Sequence, residues 1–366
     1  MFRDIYKKKK VLITGNTGFK GSWLTMWLLK LEANIVGISK DVPTSPSMFN
    51  ELELENKINH YKEDIRDLSK MIKIISSEKP DFLFHLAAQP IVSTSYMDPI
   101  ETISSNVIGT TNILESLKIS NHKCTAIIIT SDKAYDNVEQ LEGYNEDDSL
   151  GGKDIYSGSK GAAELIIKSY YHSFFKSKNS NLKLAIGRAG NVIGGGDWAK
   201  NRIVVDCMKA WSKDQIVELR APKATRPWQH VLEPLSGYLK LGEELFKNDK
   251  LHGEAFNFGP NSDQNLSVEE LIIELSKYWT LKDTDNFYKI TNNVTFHEAK
   301  LLGLNCDKAF LHLKWKANLN YKDTVKFTSE WYYDFYKSDK KILAKTMKQI
   351  IDFENIAKEK DLKWTE

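Results

Sequence analysis

Between Val11 and Leu24 the chain reads Val-Leu-Ile-Thr-Gly-Asn-Thr-Gly-Phe-Lys-Gly-Ser-Trp-Leu. A short apolar run stops at a glycine, and an amphipathic helical pattern starts after two more glycines at GxxGxxG spacing. Gly15 allows a tight turn, Gly18 a close approach of backbone to a pyrophosphate, and Gly21 close packing of the helix, whose N-terminal amides attract an anion. A purely structural strand-to-helix turn is the plain alternative, and the order of strand, glycines and helix disfavours it. A dinucleotide site also asks for an acid at the end of the second strand, about 20 residues further on. Ile35-Val-Gly-Ile-Ser-Lys-Asp41 supplies Asp41. Its carboxylate would accept the adenosine ribose hydroxyls and repel a 2′-phosphate, so NAD is the expected cofactor, although Lys40 beside it pulls the other way. The polar turn at Asp64 and Ile65 is placed to meet the adenine edge. Ala87, Ala88 and Gln89 close the strand that would run under the nicotinamide ribose.

The same alternation continues. Strands are expected over 10–14, 34–38, 82–86, 126–130 and 182–188, with helical stretches over 23–31, 68–79 and 107–119 long enough for right-handed crossovers. The expected fold class is α/β, a doubly wound parallel Rossmann sheet with a smaller, mainly helical C-terminal substrate domain. Beyond about Asn191 a glycine loop, Gly194 to Gly196, gives way to helices with aromatic faces over 266–279 and 322–336. Residues 1–190 are expected to form the NAD-binding domain with the catalytic residues, and 191–366 to bind mainly the substrate. The Lys-rich stretch 338–366 reads as a solvated surface helix.

Composition narrows the function classes. In 366 residues, 51 Lys and Arg against 49 Asp and Glu leave a formal charge of +2, which gives no global electrostatic case for nucleic acid or membrane. No stretch approaches the roughly 18 apolar residues of a membrane span. The apolar run behind the first lysines is too short for a signal-peptide core. Cys124, Cys207 and Cys306 stand far apart, with no CxxC pair and no zinc-finger histidines, so neither a disulfide nor a metal framework is expected. The cytoplasm is the expected location.

Tyr156-Ser-Gly-Ser-Lys160 places a phenol and an ammonium on one helical face. Tyr6, Tyr278, Tyr333 and Tyr336 share the YxxxK spacing, but only Tyr156 follows several strands after a glycine fingerprint and opens a long helix. A tyrosine base must overcome an unperturbed pKa of about 10, and a nearby ammonium favours the phenolate. Ahead of it, Ser131-Asp132-Lys133 follow the carboxyl end of a strand, where doubly wound sheets bind ligands. A hydroxyl, an acid and an amine meet there, the plain alternative being a capping turn.

With these motifs the chain resembles the extended short-chain dehydrogenase/reductase superfamily, in its NAD-dependent epimerase/dehydratase family, and most of all the bacterial CDP-glucose 4,6-dehydratases. The resemblance spans almost the whole length. It rests on Gly15 to Leu24, Thr130-Ser-Asp-Lys133, Tyr156 to Lys160, Arg188-Ala-Gly-Asn-Val-Ile-Gly-Gly-Gly-Asp-Trp198 and Arg226-Pro-Trp-Gln-His-Val231, the last two far more restrictive than the glycines. Related dTDP-glucose and GDP-mannose dehydratases typically have glutamate where Lys133 stands. The resemblance implies a redox-neutral dehydration of CDP-glucose to its 4-dehydro-6-deoxy derivative, with bound NAD as a temporary hydride store, in deoxysugar and surface-polysaccharide biosynthesis. It implies that Tyr156 takes the C4 hydroxyl proton, Lys160 lowers the phenol pKa and holds the nicotinamide ribose, and Ser131 hydrogen-bonds the C4 oxygen. Lys133 would remove the C5 proton and Asp132 would protonate the leaving C6 hydroxyl.

The resemblance adds Thr17, Phe19, Lys20, Asn106 and Thr130 to the cofactor contacts. It adds Asn191, Arg202, Arg226 and His297 to the nucleotide-sugar contacts and offers His230 for the same cleft, the plain alternative for a lone histidine being a satisfied structural residue. It also implies a homodimer, or a dimer of dimers, through helices over 107–119 and 159–173 packed as a four-helix bundle. The chain departs from the CDP-glucose pattern around Arg202, at Ala134 and Gly158, where cysteine and asparagine are usual, and at Ser93, where an arginine is. Ser93 bears on the substrate more than on the chemistry. Two rival readings stand beside this one: a 4-epimerase or reductase of another nucleotide sugar, needing only Tyr156, Lys160 and NAD, and a non-catalytic protein that binds NAD to sense redox state.

Overall fold

A computed structural model describes residues 1–140, 142–177, 180–261, 264–281, 286–291, 302–338 and 341–366. The chain opens with β1 (Lys10–Thr14), α1 (Phe19–Lys30), β2 (Asn34–Ile38), α2 (Met48–Glu51), β3 (Asn59–Tyr61), α3 (Leu68–Glu78) and β4 (Phe82–His85). It continues through α4 (Val92–Met97), α5 (Pro99–Ile103), a π-helical turn at Ser104–Ile108, α6 (Gly109–Ser120), β5 (Cys124–Ile129), α7 (Ile155–Tyr170) and β6 (Leu182–Ala189). The second part holds β7 (Val192–Ile193), α8 (Ile203–Trp211), β8 (Val217–Leu219), β9 (Thr225–Pro227), β10 (Gln229–His230), α9 (Leu232–Lys247) and β11 (Ala255–Phe258). Then come β12 (Asn265–Ser267), α10 (Val268–Ser276), β13 (Tyr288–Ile290), α11 (Asp307–Leu313), α12 (Tyr321–Lys337) and α13 (Ile342–Glu359).

Seven strands form one parallel sheet in the order β11-β6-β5-β4-β1-β2-β3. Strand alternation explains its two covered faces: Val11, Ile13, Phe82 and Phe84 enter the layer shared with α1 and α9, whereas Leu12, Leu83, Ala126 and Ile128 enter the layer under α3, α6 and α7. Strand order reverses between β1 and β4, and the crevice at their carboxyl ends is where doubly wound sheets take ligands. The Rossmann expectation holds, and the second part is mainly helical, with three short two-stranded ribbons among the described residues.

The expected division at residue 190 cuts the chain but not the sheet, because β11 pairs with β6 as the seventh strand and α9 packs beneath it. One expectation is corrected. The stretch 338–366 is not a solvated helix: α13 buries Ile350, Phe353 and Ala357, and Trp364 beyond it stacks on Phe2 with ring centres 5.4 Å apart. Glu354 accepts from Trp27 Nε1 at 2.9 Å and from Lys30 Nζ at 2.7 Å, so α13 braces the back of α1. Lys348 and Lys358 occupy outward positions, Lys345 pairs with Glu330 and Asp334 of α12, and the inward positions recur three or four residues apart.

Candidate active site

The fingerprint folds as its glycines require. Gly15 has φ of +75°, and a Cβ there would lie 2.7 Å from the Ala87 nitrogen, so any side chain would push β1 away from β4. A Cβ on Gly21 would strike the Gly15 carbonyl at 2.0 Å. Gly18 is the N-cap of α1 and has no side chain to cap it, which leaves the first-turn amides for an anion. Thr17 Oγ1 donates to the Asp41 carbonyl at 2.7 Å and the Thr17 amide to Ser39 Oγ at 3.3 Å, tying the turn to the end of β2, where the Asp41 residue is exposed. Thr17 is buried; Phe19 and Lys20 form the first turn of α1. This cradle, with an acid at the second strand's end, fits a dinucleotide.

The walls beside it are more constrained. The Ala87 amide donates to Thr14 Oγ1 at 3.2 Å, and Ala88 follows it at the mouth. The Gln89 amide donates to Asn106 Oδ1 at 2.8 Å, and Asn106 Nδ2 donates to Ser159 Oγ at 2.9 Å, so Asn106 pins the end of β4 to α7. Asp64 is held by Arg66 Nη2 at 2.6 Å, and this guanidinium holds its carboxyl below the usual range. The Ile65 side chain is buried against Gly109, with its carbonyl accepting from Asn112 Nδ2 at 3.0 Å.

Beyond β5, Thr130 Oγ1 donates to Glu164 Oε1 at 2.5 Å, and the chain turns at Ser131. Ser131 Oγ donates to Asp132 Oδ1 at 2.8 Å and accepts from the Lys133 amide at 3.3 Å. Asp154 caps α7 by accepting from the Ser157 amide at 3.0 Å, which sets Tyr156 and Lys160 facing this turn. Tyr156, Lys160, Ser131 and Asp132 are all buried. Burial, then the Asp132 charge, pushes the Tyr156 phenol up to about 12, while Ser131 and Arg202 pull the other way. Burial lowers Lys160 to about 8 against the pull of Glu164. Lys20 is also pushed down to about 8, by burial and then by Arg202, with Asp132 opposing. Burial raises the Asp132 carboxyl against Lys133, Ser131 and Lys20. The turn therefore gathers a protonated phenol, a carboxyl that keeps its proton longer than usual, and ammoniums that release theirs more easily.

The second part supplies the opposite wall. Arg202 pairs with Asp197 at 3.2 Å and acts electrostatically on both Tyr156 and Lys20. Asn191 is exposed just past Gly190, where a Cβ would lie 3.0 Å from Asp132 Oδ2. Arg226 lies on β9, its Nη1 donating to the Thr225 carbonyl at 2.8 Å. Ser93 Oγ accepts from Asn201 Nδ2 at 3.2 Å, joining the two walls. His230 does not line the cleft: it is fully buried between the rings of Trp23 and Phe327, its Nδ1 accepts from the Leu232 amide, and burial lowers it to about 3. It is a neutral core histidine. His297 lies outside the described residues.

Residues 12–328 match the family model described as GDP-mannose 4,6 dehydratase. The chain belongs to this family. It is 39% identical to the CDP-glucose 4,6-dehydratase of Salmonella typhimurium over 96% of its length and 98% of that protein. Among solved structures, it is similar to a dTDP-glucose 4,6-dehydratase from Bacillus anthracis in complex with NAD, with a TM-score of 0.72 and 20% identity over 89% of this chain and 97% of that one. It is also similar to a Thermotoga maritima UDP-glucose 4-epimerase with UDP-glucose, with a TM-score of 0.76 and 21% identity over 90% of this chain and 100% of that one. At such identities these two likenesses speak for the fold.

In this member of the dehydratase family, sequence reasoning missed the support beneath the site. Arg188 on β6 is fully buried against Glu164 of α7, at 2.8 Å and 3.0 Å from Nε and 2.5 Å from Nη2. Its Nη1 donates to Tyr135 Oη at 2.6 Å, and Tyr135 donates to Asn257 Oδ1 on β11 at 2.8 Å. This network fixes Glu164 under the Thr130 hydroxyl, and hence the start of the turn at Ser131. The arginine that interrupts the apolar run Leu184 to Ala189 of β6 was the available signal.

Proposed function

We propose that this chain is an NAD-dependent nucleotide-sugar 4,6-dehydratase that converts CDP-glucose to CDP-4-dehydro-6-deoxyglucose and water. The observation that carries the reading is the burial of Asp132 beside Ser131 and Tyr156 at the end of β5. A 4-epimerase has no C6 hydroxyl to expel and no use for a second acid there. The identity to the Salmonella enzyme over nearly the whole chain supports CDP-glucose as substrate.

Gly15, Thr17, Gly18, Phe19, Lys20 and Gly21 would hold the NAD diphosphate, Asp41 the adenosine ribose, and Asp64 and Ile65 the adenine end. Ala87, Ala88, Gln89, Asn106, Thr130, Tyr156 and Lys160 would border its nicotinamide half. When bound, NAD supplies a hydride acceptor for the sugar C4 and a donor for C6. Tyr156 Oη takes the C4 hydroxyl proton, and Ser131 Oγ holds the C4 oxygen. Once C4 is a ketone the C5 hydrogen is acidic, so Lys133 Nζ removes it while the Asp132 carboxyl protonates the C6 hydroxyl, which leaves as water. Asn191, Arg202, Arg226 and His297 would bind the nucleotide sugar, the cations meeting its diphosphate. Residues 1–190 would then carry the cofactor and the chemistry, and 191–366 mainly the substrate.

Among the described residues no helix is long and apolar enough to cross a membrane. We place the enzyme in the cytoplasm, in deoxysugar and surface-polysaccharide biosynthesis, and assign it a homodimer or a dimer of dimers. Exposed Met97, Ile100, Ile103, Ile108 and Leu165 on neighbouring α4, α5 and α7 and the π-helical turn before α6 support that assembly.

Mass spectrometry of product from CDP-glucose without added reductant tests the reading. Loss of one water with no net change in NAD is expected, and a product of unchanged mass would replace the dehydratase with an epimerase.

A further inference from the structure

Four charged side chains form a run of ion pairs along the end of the crevice assigned to adenosine. Lys40, the residue before Asp41, reaches Glu101 Oε1 at 2.8 Å. Arg66 donates to the other oxygen of Glu101 while its Nε and Nη2 hold Asp64 at 3.0 Å and 2.6 Å. Ser105 Oγ donates to Glu101 Oε1 at 3.2 Å, fixing the carboxylate from one turn further along. The partners come from three places: the end of β2, the turn after β3, and α5.

This arrangement settles an ambiguity of the sequence. A lysine beside Asp41 offsets the repulsion that Asp41 should exert on a 2′-phosphate, and an arginine near the end of the second strand is how doubly wound folds accept that group. In the folded chain both cations turn to Glu101. We infer that Glu101 is a specificity-determining residue that keeps this site selective for NAD over NADP, by engaging Lys40 and Arg66 so that Asp41 meets the ribose without a cation to offset it. The inference rests on the reading that the Gly15 crevice holds NAD.

The test uses the full-length protein and two ligands, ADP-ribose and 2′,5′-ADP, titrated by calorimetry. Partly exposed ion pairs are weak, so Glu101→Gln should tighten 2′,5′-ADP about fivefold and change ADP-ribose by less than about twofold. The gain should shrink at high ionic strength. Adding Lys40→Gln to that variant should remove the gain, and Glu101→Asp, which keeps the charge, should show little of it. If Glu101→Gln binds ADP-ribose like the parent and 2′,5′-ADP no more tightly, the inference fails while the cofactor reading stands. If the parent protein binds neither ligand, the cofactor reading fails and the inference falls with it.

Discussion

Lys160 Nζ lies 5.9 Å from the centre of the Tyr156 ring, one turn along α7. Among the described residues it makes no hydrogen bond or ion pair, whereas the groups that ease ionisation of the phenol are Ser131 and Arg202. The YxxxK ammonium therefore has no protein acceptor among the described residues, and the phenol starts high.

As the proposed base, a Tyr156 phenol pushed up to about 12 should give a rate that climbs with pH through the neutral range. Removing a cation that favours the phenolate raises its pKa further, so Arg202→Met should move the rising limb of kcat/KM to higher pH. Tyr156→Phe should lose about 10²- to 10⁴-fold in turnover at every pH. Retention of more than about a tenth of the parent rate would remove Tyr156 from the role of base.

Asp132 and Lys133 separate elimination from oxidation. Lys133→Ala and Asp132→Asn should still oxidise C4, so reduced-nicotinamide absorbance should build up on mixing with CDP-glucose while no water is lost. Stopped-flow absorbance, paired with solvent-deuterium exchange at C5, reads both events. Dehydration by both variants at the parent rate would defeat the assignment.

Breaking the buried Arg188 and Glu164 pair leaves one charge without its partner. Arg188→Met should cost about 3–5 kcal/mol of stability, read as a lower urea midpoint, and should loosen Thr130 above it. A variant with an unchanged midpoint would show that the pair does not support the turn.

Ile100→Glu combined with Leu165→Glu should convert the expected dimer to a monomer by light scattering, with unaltered circular dichroism. Ile100 is 73% exposed and Leu165 55%, so neither change disturbs a packed interior. A parent protein that is already monomeric at micromolar concentration would dismiss the assembly.

Strands buried on both faces were legible in the sequence, because a run such as Val11-Leu-Ile has no polar side to hide it, and β1 and β2 fall where expected. The three-residue β3 and the four-residue β11 gave too short a pattern, and β6, the partner of β11, lies far back in the sequence. The inward face of α13 includes Thr346, Gln349 and Glu354, polar side chains hydrogen-bonded to Trp331, Phe327 and Trp27, so its periodicity is blurred. Ser131, Asp132, Tyr156 and Lys160 come together because motif and strand end coincide. Of the two readings of His230 the structural one holds, and nothing local to it could decide between them, because the rings of Trp23 and Phe327 that close over it are distant in sequence.

The late arrival of β11 also bears on how the chain is made. It is translated about 65 residues after β6, which at about 5–20 residues per second leaves the β6 edge unpaired for roughly 3 to 13 seconds. During that interval Tyr135 has no Asn257 to receive its proton, and the strand's outer N–H and C=O groups can template another nascent chain. Slower synthesis would lengthen this exposure and a holding chaperone would mask it, so recovery of folded protein should depend on both while the finished molecule is indifferent to either.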